Sequence, residues 1–341
     1  MPEQRLSDTS ILGRISATGR WQQALGGLAL AAAVLAQNAL AQTAGSDRPI
    51  RLYAGFPPGS TTDVAARALA EPLGRRLGQT VVVDNRSGAG GNIAALAAAA
   101  SPPDGQTIYM ATTANTIGIS FPGATVVDVT RAFVPVTMVG IIPNVLVAHP
   151  SLGLQSTAAL IAMARTRATP LSFASSGVGT APHLSGELFA VMARVKLLHV
   201  PYRGSTPGVT DLIAGQVQLS FAPVSSVLQP IRAGRLTALA VTSLRRSAAL
   251  PELPTLDEAG LRGFDTAVWY GFMLPAGASP ELVERIRAAA HAVLDAPEVQ
   301  SVYRAQGIDM VRTTPEAFGQ HIRTEIAKWT DLIRETGIRP E

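Results

Sequence analysis

From Ile50 onward, short apolar runs alternate with longer stretches whose apolar residues repeat at helical spacing. "IRLYAGF" (50–56) reads as a strand, and beyond a loop of Pro, Gly, Ser and Thr the residues Ala65, Leu69, Leu73 and Leu77 recur every four positions, on one helical face. "TVVVDN" predicts a second strand, closed by the glycine-dense "RSGAGGN" and an Ala-rich helix from Ile93 to Ala100. "PPDGQ" is a turn and "TIYMAT" a third strand. The grammar then restarts. "PNVLVAHP", "LSFASS", "KLLHVPY", "VQLSFAP" and "LTALAVTS" read as strands, separated by helical "TAALIAMARTR", "HLSGELFAVMAR" and "TPGVTDLIAGQ". "PELVERIRAAAHAVL" and "PEAFGQHIRTEIAKWTDLIRE" are amphipathic helices opened by Pro and Glu. Continuous apolar strands alternating with helices predict an α/β fold on a parallel or mixed sheet covered on both faces.

Two joints between strand and helix recur in different halves of the chain. The first is "LYAGFPPGSTTDVAARALAEPLG" (52–74) and the second is "LSFASSGVGTAPHLSGELFAVMA" (171–193). A helix start leaves unpaired N–H groups and a partial positive charge; glycine lets a ligand approach the backbone, and Ser or Thr adds neutral donors. Together these make an anion site that needs no Lys or Arg. At the first joint Gly59, Ser60, Thr61 and Thr62 are the candidate donors, while Asp63, three residues after Ser60, fits a helix cap with Arg67 as its partner one turn on. At the second joint the candidates are Ser175, Ser176, Gly177, Gly179 and Thr180. "GVGTAP" begins like a dinucleotide fingerprint, but Pro182 stands where the third glycine belongs. A third polar loop, "VPYRGSTPG", carries Tyr202 and Arg203; Arg203 reads either as a fork for a carboxylate or as an ordinary solvated charge. In "RSGAGGN", Asn92 reads as a cap or as a ligand contact.

The chain has 341 residues, 47% of them hydrophobic and 15% charged, enough for two packed domains. The formal charge of +4 is carried almost wholly by Arg, Lys196 and Lys328 being the only lysines, and no basic block stands out, which argues against nucleic acid as a partner. Cysteine is absent, so thiolate catalysis, zinc–thiolate sites and iron–sulfur clusters are excluded. Residues 1–41 read differently. Arg14 and Arg20 precede the short apolar run "ALGGLALAAAVLA" (24–36), and Ala39 and Ala41 flank Leu40. That order predicts a secretory signal peptide cut near Ala41, the competing reading being a retained N-terminal anchor.

Catalytic signals are thin. The histidines (His149, His183, His199, His291 and His321) are dispersed, and His183 with Glu187 at helical spacing reads as structural. Neither H-E-x-x-H nor G-x-S-x-G occurs. Donors abound where an activated nucleophile or base is not evident, which favours binding over catalysis. No catalytic residue, metal ligand or cofactor is assigned.

"FPPGSTTDVAARALAEPLGRRLGQTVVVDNRSGAGGN", "PPDGQT", "LSFASSGVGTAPHLSGELF", "HVPYRGSTPGVTDLIAGQVQLSF", "AGRLTALAVTSLRRSAALPELPTLDEAG" and "EIAKW", in this order, carry a resemblance. From about Pro49 to Arg339 the chain resembles the tripartite tricarboxylate transporter solute-binding proteins, the periplasmic "Bordetella uptake gene" receptors. The resemblance implies a type II periplasmic binding-protein fold, with two α/β domains joined by a two-strand hinge. One domain would comprise residues 48–148 plus 268–341 and the other 149–267. It implies a small organic carboxylate as ligand, membrane permease subunits as partners, a periplasmic location and a monomer. Carried over by position, the contacts would be Phe56, Pro58, Gly59, Ser60 and Thr61 in the first loop, and Thr113 and Asn115 after the third strand. Ser175, Ser176, Thr180, Tyr202 and Arg203 would complete the lining. The family often has Tyr-Lys where Tyr202–Arg203 stands, and often an Asp or Asn where Ala222 stands; without that acid the expected ligand is a carboxylate lacking an ammonium. The rival readings are a ligand-presenting partner of a membrane kinase and a secreted hydrolase or lyase using His183 or another of the dispersed histidines.

Overall fold

The computed structural model describes residues 48–202 and 204–339. The expected signal peptide (1–41) and Arg203 lie outside the described residues. Each short apolar run read as a strand forms one: β1 Ile50–Ala54, β2 Val81–Asn85, β3 Thr107–Thr112, β5 Leu171–Ser175, β6 Leu197–Pro201, β7 Leu219–Pro223 and β8 Thr237–Val241. Two longer strands complete the sheet, β4 Phe133–Ala148 and β9 Ala267–Pro275. The order is β2-β1-β3-β9-β4-β7-β5-β6, with β8 also paired to β4. It is a mixed sheet. β1 is parallel to β2 and β3, β5 is parallel to β6 and β7, and β4 and β9 run antiparallel to their neighbours between those flanks.

Strand β4 is twice the length its sequence advertises. Only "PNVLVAHP" reads as strand, yet pairing to β9 already begins at Phe133 and runs to Pro143. The preceding stretch hides because Pro135 cannot donate to a ladder and Gly140 weakens a strand signal. Register shifts at Pro135/Thr137 and at Met138/Gly140 absorb both residues as bulges. From Asn144 to Ala148 the same strand changes partners and pairs with β7, and from Val145 with β8. One strand thus belongs to both flanks of the sheet.

The helices that position the candidate site are α1 (Thr61–Leu77), α2 (Asn92–Ala99), α3 (Thr113–Ser120) and, after the short α4 (Val129–Ala132) and α5 (Thr157–Thr166), α6 (Ala181–Ala193). Then come α7 (Ser205–Ile213), α8 (Val224–Arg232), α9 (Pro280–Val293), α10 (Pro297–Gln306) and α11 (Pro315–Thr336). The apolar face of α1 (Ala65, Leu69, Leu73 and Leu77) packs into a core with Leu52, Ile108, Met110 and Ile286. Helix α6 lies flush on β5, since a Cβ at Gly186 would come within 2.2 Å of the Phe173 ring. A separate cluster joins Ile117 and Phe121, at the end of α3, to Ala181 and Leu184 of α6 and to Trp329, Leu332 and Ile333 of α11. Trp329 is anchored in turn, its Nε1 donating to the buried Glu325 at 3.0 Å while Lys328 pairs with the same carboxylate. Among the described residues, no helix is long and apolar enough to cross a membrane.

Candidate functional site

A cavity of about 820 Å³ opens where the N-terminal ends of α1, α2, α3 and α6 meet. Ser60, Thr61 and Thr62 line it from α1, Thr112 to Asn115 from α3, and Gly179 to Ala181 from α6. Phe56, Ile117, Phe121, Val178 and Val268 form apolar walls. Among the described residues, no Lys, Arg, His, Asp or Glu lines it. Each helix start contributes unpaired N–H groups and the positive end of a dipole. The field from these helix starts is therefore electropositive without a formal charge from the described lining residues.

The first loop is held rigid by its own residues. Ser60 is the N-cap of α1, its Oγ accepting the Asp63 N–H at 3.3 Å. The Asp63 carboxylate accepts the Gly59 N–H at 2.9 Å, and the Arg67 Nε lies 2.9 Å from it. The Arg67 guanidinium continues to Asn85 Oδ1 (3.0 Å), and Asn85 Nδ2 donates to the Phe56 carbonyl (3.0 Å). Burial pushes the Asp63 carboxyl up, but the Gly59 N–H, Arg67 and Asn85 outweigh it and hold the group below the usual carboxylate range. With the Ser60 N–H bonded to the Pro57 carbonyl (3.1 Å), the N–H groups of Thr61 and Thr62 are the first in the helix without an acceptor inside it. Thr62 also hydrogen-bonds Tyr270, whose buried phenol is pushed up by desolvation.

At α3, Thr112 and Asn115 form a reciprocal cap: Thr112 Oγ1 accepts from the Ala114 N–H (3.2 Å) and Asn115 Oδ1 from the Thr112 N–H (2.9 Å). Asn115 Oδ1 also takes the Tyr109 hydroxyl at 3.0 Å. Thr113 Oγ1 donates to the Ala267 carbonyl and accepts the Trp269 N–H, both at 2.9 Å, so it ties α3 to β9. At α6, Thr180 is the N-cap residue but makes no side-chain cap, because its Oγ1 donates back to the Gly177 carbonyl at 2.7 Å. Without that cap, and with Pro182 having no N–H, the uncapped N–H groups of the first turn are those of Ala181 and His183.

Of the residues read from the sequence, Phe56, Ser60, Thr61, Thr113, Asn115 and Thr180 line this cavity. Pro58 and Gly59 do not; they sit exposed at the outer side of the loop, with the Gly59 N–H turned to Asp63. Ser175 and Ser176 line a separate void of about 10 Å³, with Pro182, Ser205, Gly208, Ser220 and Ala222 among its walls. Their hydroxyls are engaged locally, Ser175 with His199 Nε2 (2.6 Å) and Ser176 with Ser205 Oγ (2.8 Å). The Tyr202 hydroxyl donates to Asp211 (2.7 Å), and desolvation together with that carboxylate pushes its pKa up to about 12. Arg203 lies outside the described residues.

The sequence reading missed Tyr270 and the segment Phe121–Val127, which forms one wall. The "FPG" of that segment is a turn signal, but nothing local says that the turn borders a site. Asn92 lines the cavity while its Oδ1 accepts the Val127 N–H at 2.7 Å, so it ties this wall down and does not cap α2. The histidines, dispersed in sequence, are not all dispersed in space: the rings of His183 and His199 stack at 3.8 Å and 10°. The parallel register of β5 and β6 sets His199 opposite Phe173, and α6 lays His183 over both. Among the described residues, the Ser175–His199 contact does not extend to a carboxylate; Glu187 faces His183 instead (3.5 Å).

Residues 65–338 match the family described as tripartite tricarboxylate transporter family receptor. Among curated proteins the chain is similar to a protein in the tcbD-tcbE intergenic region of Pseudomonas sp. strain P51, 38% identical over 98% of both chains. It is likewise 38% identical to protein BugT of Bordetella pertussis, over 86% of this chain and 90% of that one. Among solved structures it is similar to R. palustris Rpa4515 with adipate (35% identity, TM-score 0.74, 87% of this chain and 100% of that one). It is also similar to the periplasmic binding protein BugD (31%, TM-score 0.71, 86% and 99%) and to MatC from Rhodopseudomonas palustris with bound malate (26%, TM-score 0.70, 84% and 99%). The type II periplasmic binding-protein fold expected from the sequence is therefore the fold of its relatives, and their shared role is solute binding, not catalysis. The chain belongs to the tripartite tricarboxylate transporter family of receptors.

Proposed function

We propose that this chain captures a small organic carboxylate in the cavity at the four helix starts and delivers it to the membrane permease subunits of a tripartite transporter. The observation that carries this reading is the lining itself: converging helix N-termini, hydroxyls of Ser60, Thr61 and Thr180, and, among the described residues, no charged side chain. Such a site stabilises an anion by fixed dipoles and offers no carboxylate to an ammonium, so the ligand class is an acid without an amino group. The apolar walls of Phe56, Phe121 and Val178 suit an aliphatic segment between polar ends. The relatives solved with adipate and with malate accord with this class.

Capture proceeds by closure of two lobes, residues 48–148 plus 268–341 against residues 149–267, about the strands that cross between them. The cavity is larger than such a ligand needs, as an open cleft would be, and the two lobes each supply helix starts to it. The protein acts in the periplasm after loss of residues 1–41.

Thermal unfolding of the protein without residues 1–41, in the presence of linear C4–C6 dicarboxylates, their diamides and the corresponding diamines, tests this reading. Saturation at about 100 times Kd adds about 2.7 kcal/mol, a rise of several degrees in Tm. A rise with dicarboxylates only is the expected result. A rise with diamines, or none with any acid, would refute it.

A further inference from the structure

The loop that brings α6 to the cavity is held from behind by a pair of stacked histidines, and we propose that His183 is a positioning residue for the donor turn Gly177–Ala181. The proposal rests on the carboxylate-binding reading of the cavity, since it assigns the group that aims one set of its donors.

Gly179 sits at φ +73°, a left-handed conformation that turns its N–H away from the cavity it lines. That N–H donates to His183 Nδ1 at 3.0 Å. The acceptor role fixes the ring: Nδ1 carries no proton, and Nε2–H faces Glu187 Oε1 at 3.5 Å. The other end of the turn is tied to the second ring of the stack. Ser175 Oγ, 2.6 Å from His199 Nε2, accepts the Gly177 N–H at 3.1 Å and approaches the Gly177 carbonyl at 3.2 Å. One end of the turn is thus bonded to the buried His183 ring, only 4% exposed, and the other, through Ser175, to the half-buried His199 ring stacked on it.

The consequence lies at the start of α6. Ser60 and Thr112 cap α1 and α3 with their side chains, while α6 has no side-chain cap. Its Ala181 and His183 N–H groups stay vacant, and only the placement of the turn decides whether they point at a ligand. His183 does for this helix what Asp63 does for α1: each reaches back four residues to a loop N–H, Gly179 and Gly59 respectively.

The test uses the ligand-free protein, so its outcome does not depend on which acid is bound. Imidazole ¹⁵N chemical shifts should place the proton of His183 on Nε2. Amide hydrogen exchange at Gly179 should be at least about tenfold faster in His183→Leu, which keeps side-chain bulk without an acceptor. It should return to near the parent rate in His183→Asn, whose Oδ1 falls where Nδ1 stood. With adipate as the probe, affinity should fall in His183→Leu and recover in His183→Asn. A proton on Nδ1 in the parent protein, or unchanged Gly179 exchange in His183→Leu, would overturn the proposal. If His183→Leu does not fold, the tautomer of the parent protein decides alone. Absence of adipate binding in the parent bears on the ligand class, and the exchange and tautomer measurements still decide the role of His183.

Discussion

Replacing Thr113 by Val separates two roles that the sequence alone could not distinguish. Thr113 lines the cavity, which suggests a ligand contact, yet its hydroxyl already serves the Ala267 carbonyl and the Trp269 N–H, each at 2.9 Å. Val keeps the shape and β-branching and removes only the polar atom. Each buried group left unpaired costs about 1–3 kcal/mol. Trp269 is 1% exposed, so its N–H falls in the upper part of that range; Ala267 is half-buried, and its carbonyl falls in the lower part. The expected loss is about 2–4 kcal/mol, or about 3–6 °C in Tm for a chain of this size. Thr113→Ser keeps both bonds and should lose about 1 kcal/mol for the missing methyl. Denaturant and thermal unfolding of the three proteins provide the measurement. A Thr113→Val protein melting within a degree of its parent while losing carboxylate affinity would refute the assignment and return the hydroxyl to the ligand.

The pKa of His199 is pushed down to about 4 by burial and by the neighbouring His183 ring, against 6.5 in the unfolded chain. The unfolded state thus binds the extra proton, so stability rises with pH between about 4 and 6.5 and is lost on acidification through that window. The ring is only half-buried, so the expected difference is about 1–2 kcal/mol, read as the change in urea midpoint between pH 4.5 and 7. His199→Gln should remove that share of the pH dependence; an identical pH profile would contradict the assignment. Asp63→Asn should cost about 1–3 kcal/mol at pH 7 by removing the charged partner of Arg67, which keeps its bond to Asn85, and should lower carboxylate affinity as the first loop loosens. Because Asp63 is held below its usual range, the cost should shrink as the pH falls through the folded-state value of that carboxyl, which acid unfolding of parent and variant would read.

What was legible in the sequence is what is local. Ser60 as N-cap, Asp63 as organiser of α1 and the apolar face of Ala65, Leu69, Leu73 and Leu77 are interactions within four residues, and each reads directly from spacing. That Ser60 and Thr61 line the cavity follows from the same local grammar. Contacts between distant parts of the chain did not read. Thr113 Oγ1 is taken by β9, more than 150 residues away, and Tyr270 reaches the cavity from the same strand. The His183–His199 stack depends on a register between β5 and β6 that no pattern in either strand announces. Ser175 and Ser176 illustrate the same limit. Their residue type fits an anion site, but their hydroxyls are committed to His199 and Ser205.

The structure of the protein bound to a dicarboxylate such as adipate tests the central claim most directly, that neutral donors at helix starts grip the ligand. The account predicts a carboxylate group within hydrogen-bond distance of the Thr61 and Thr62 N–H groups and of the Ala181 N–H, with no Lys or Arg side chain in contact. A carboxylate held instead by an arginine, or seated outside the cavity bounded by α1, α3 and α6, would contradict it.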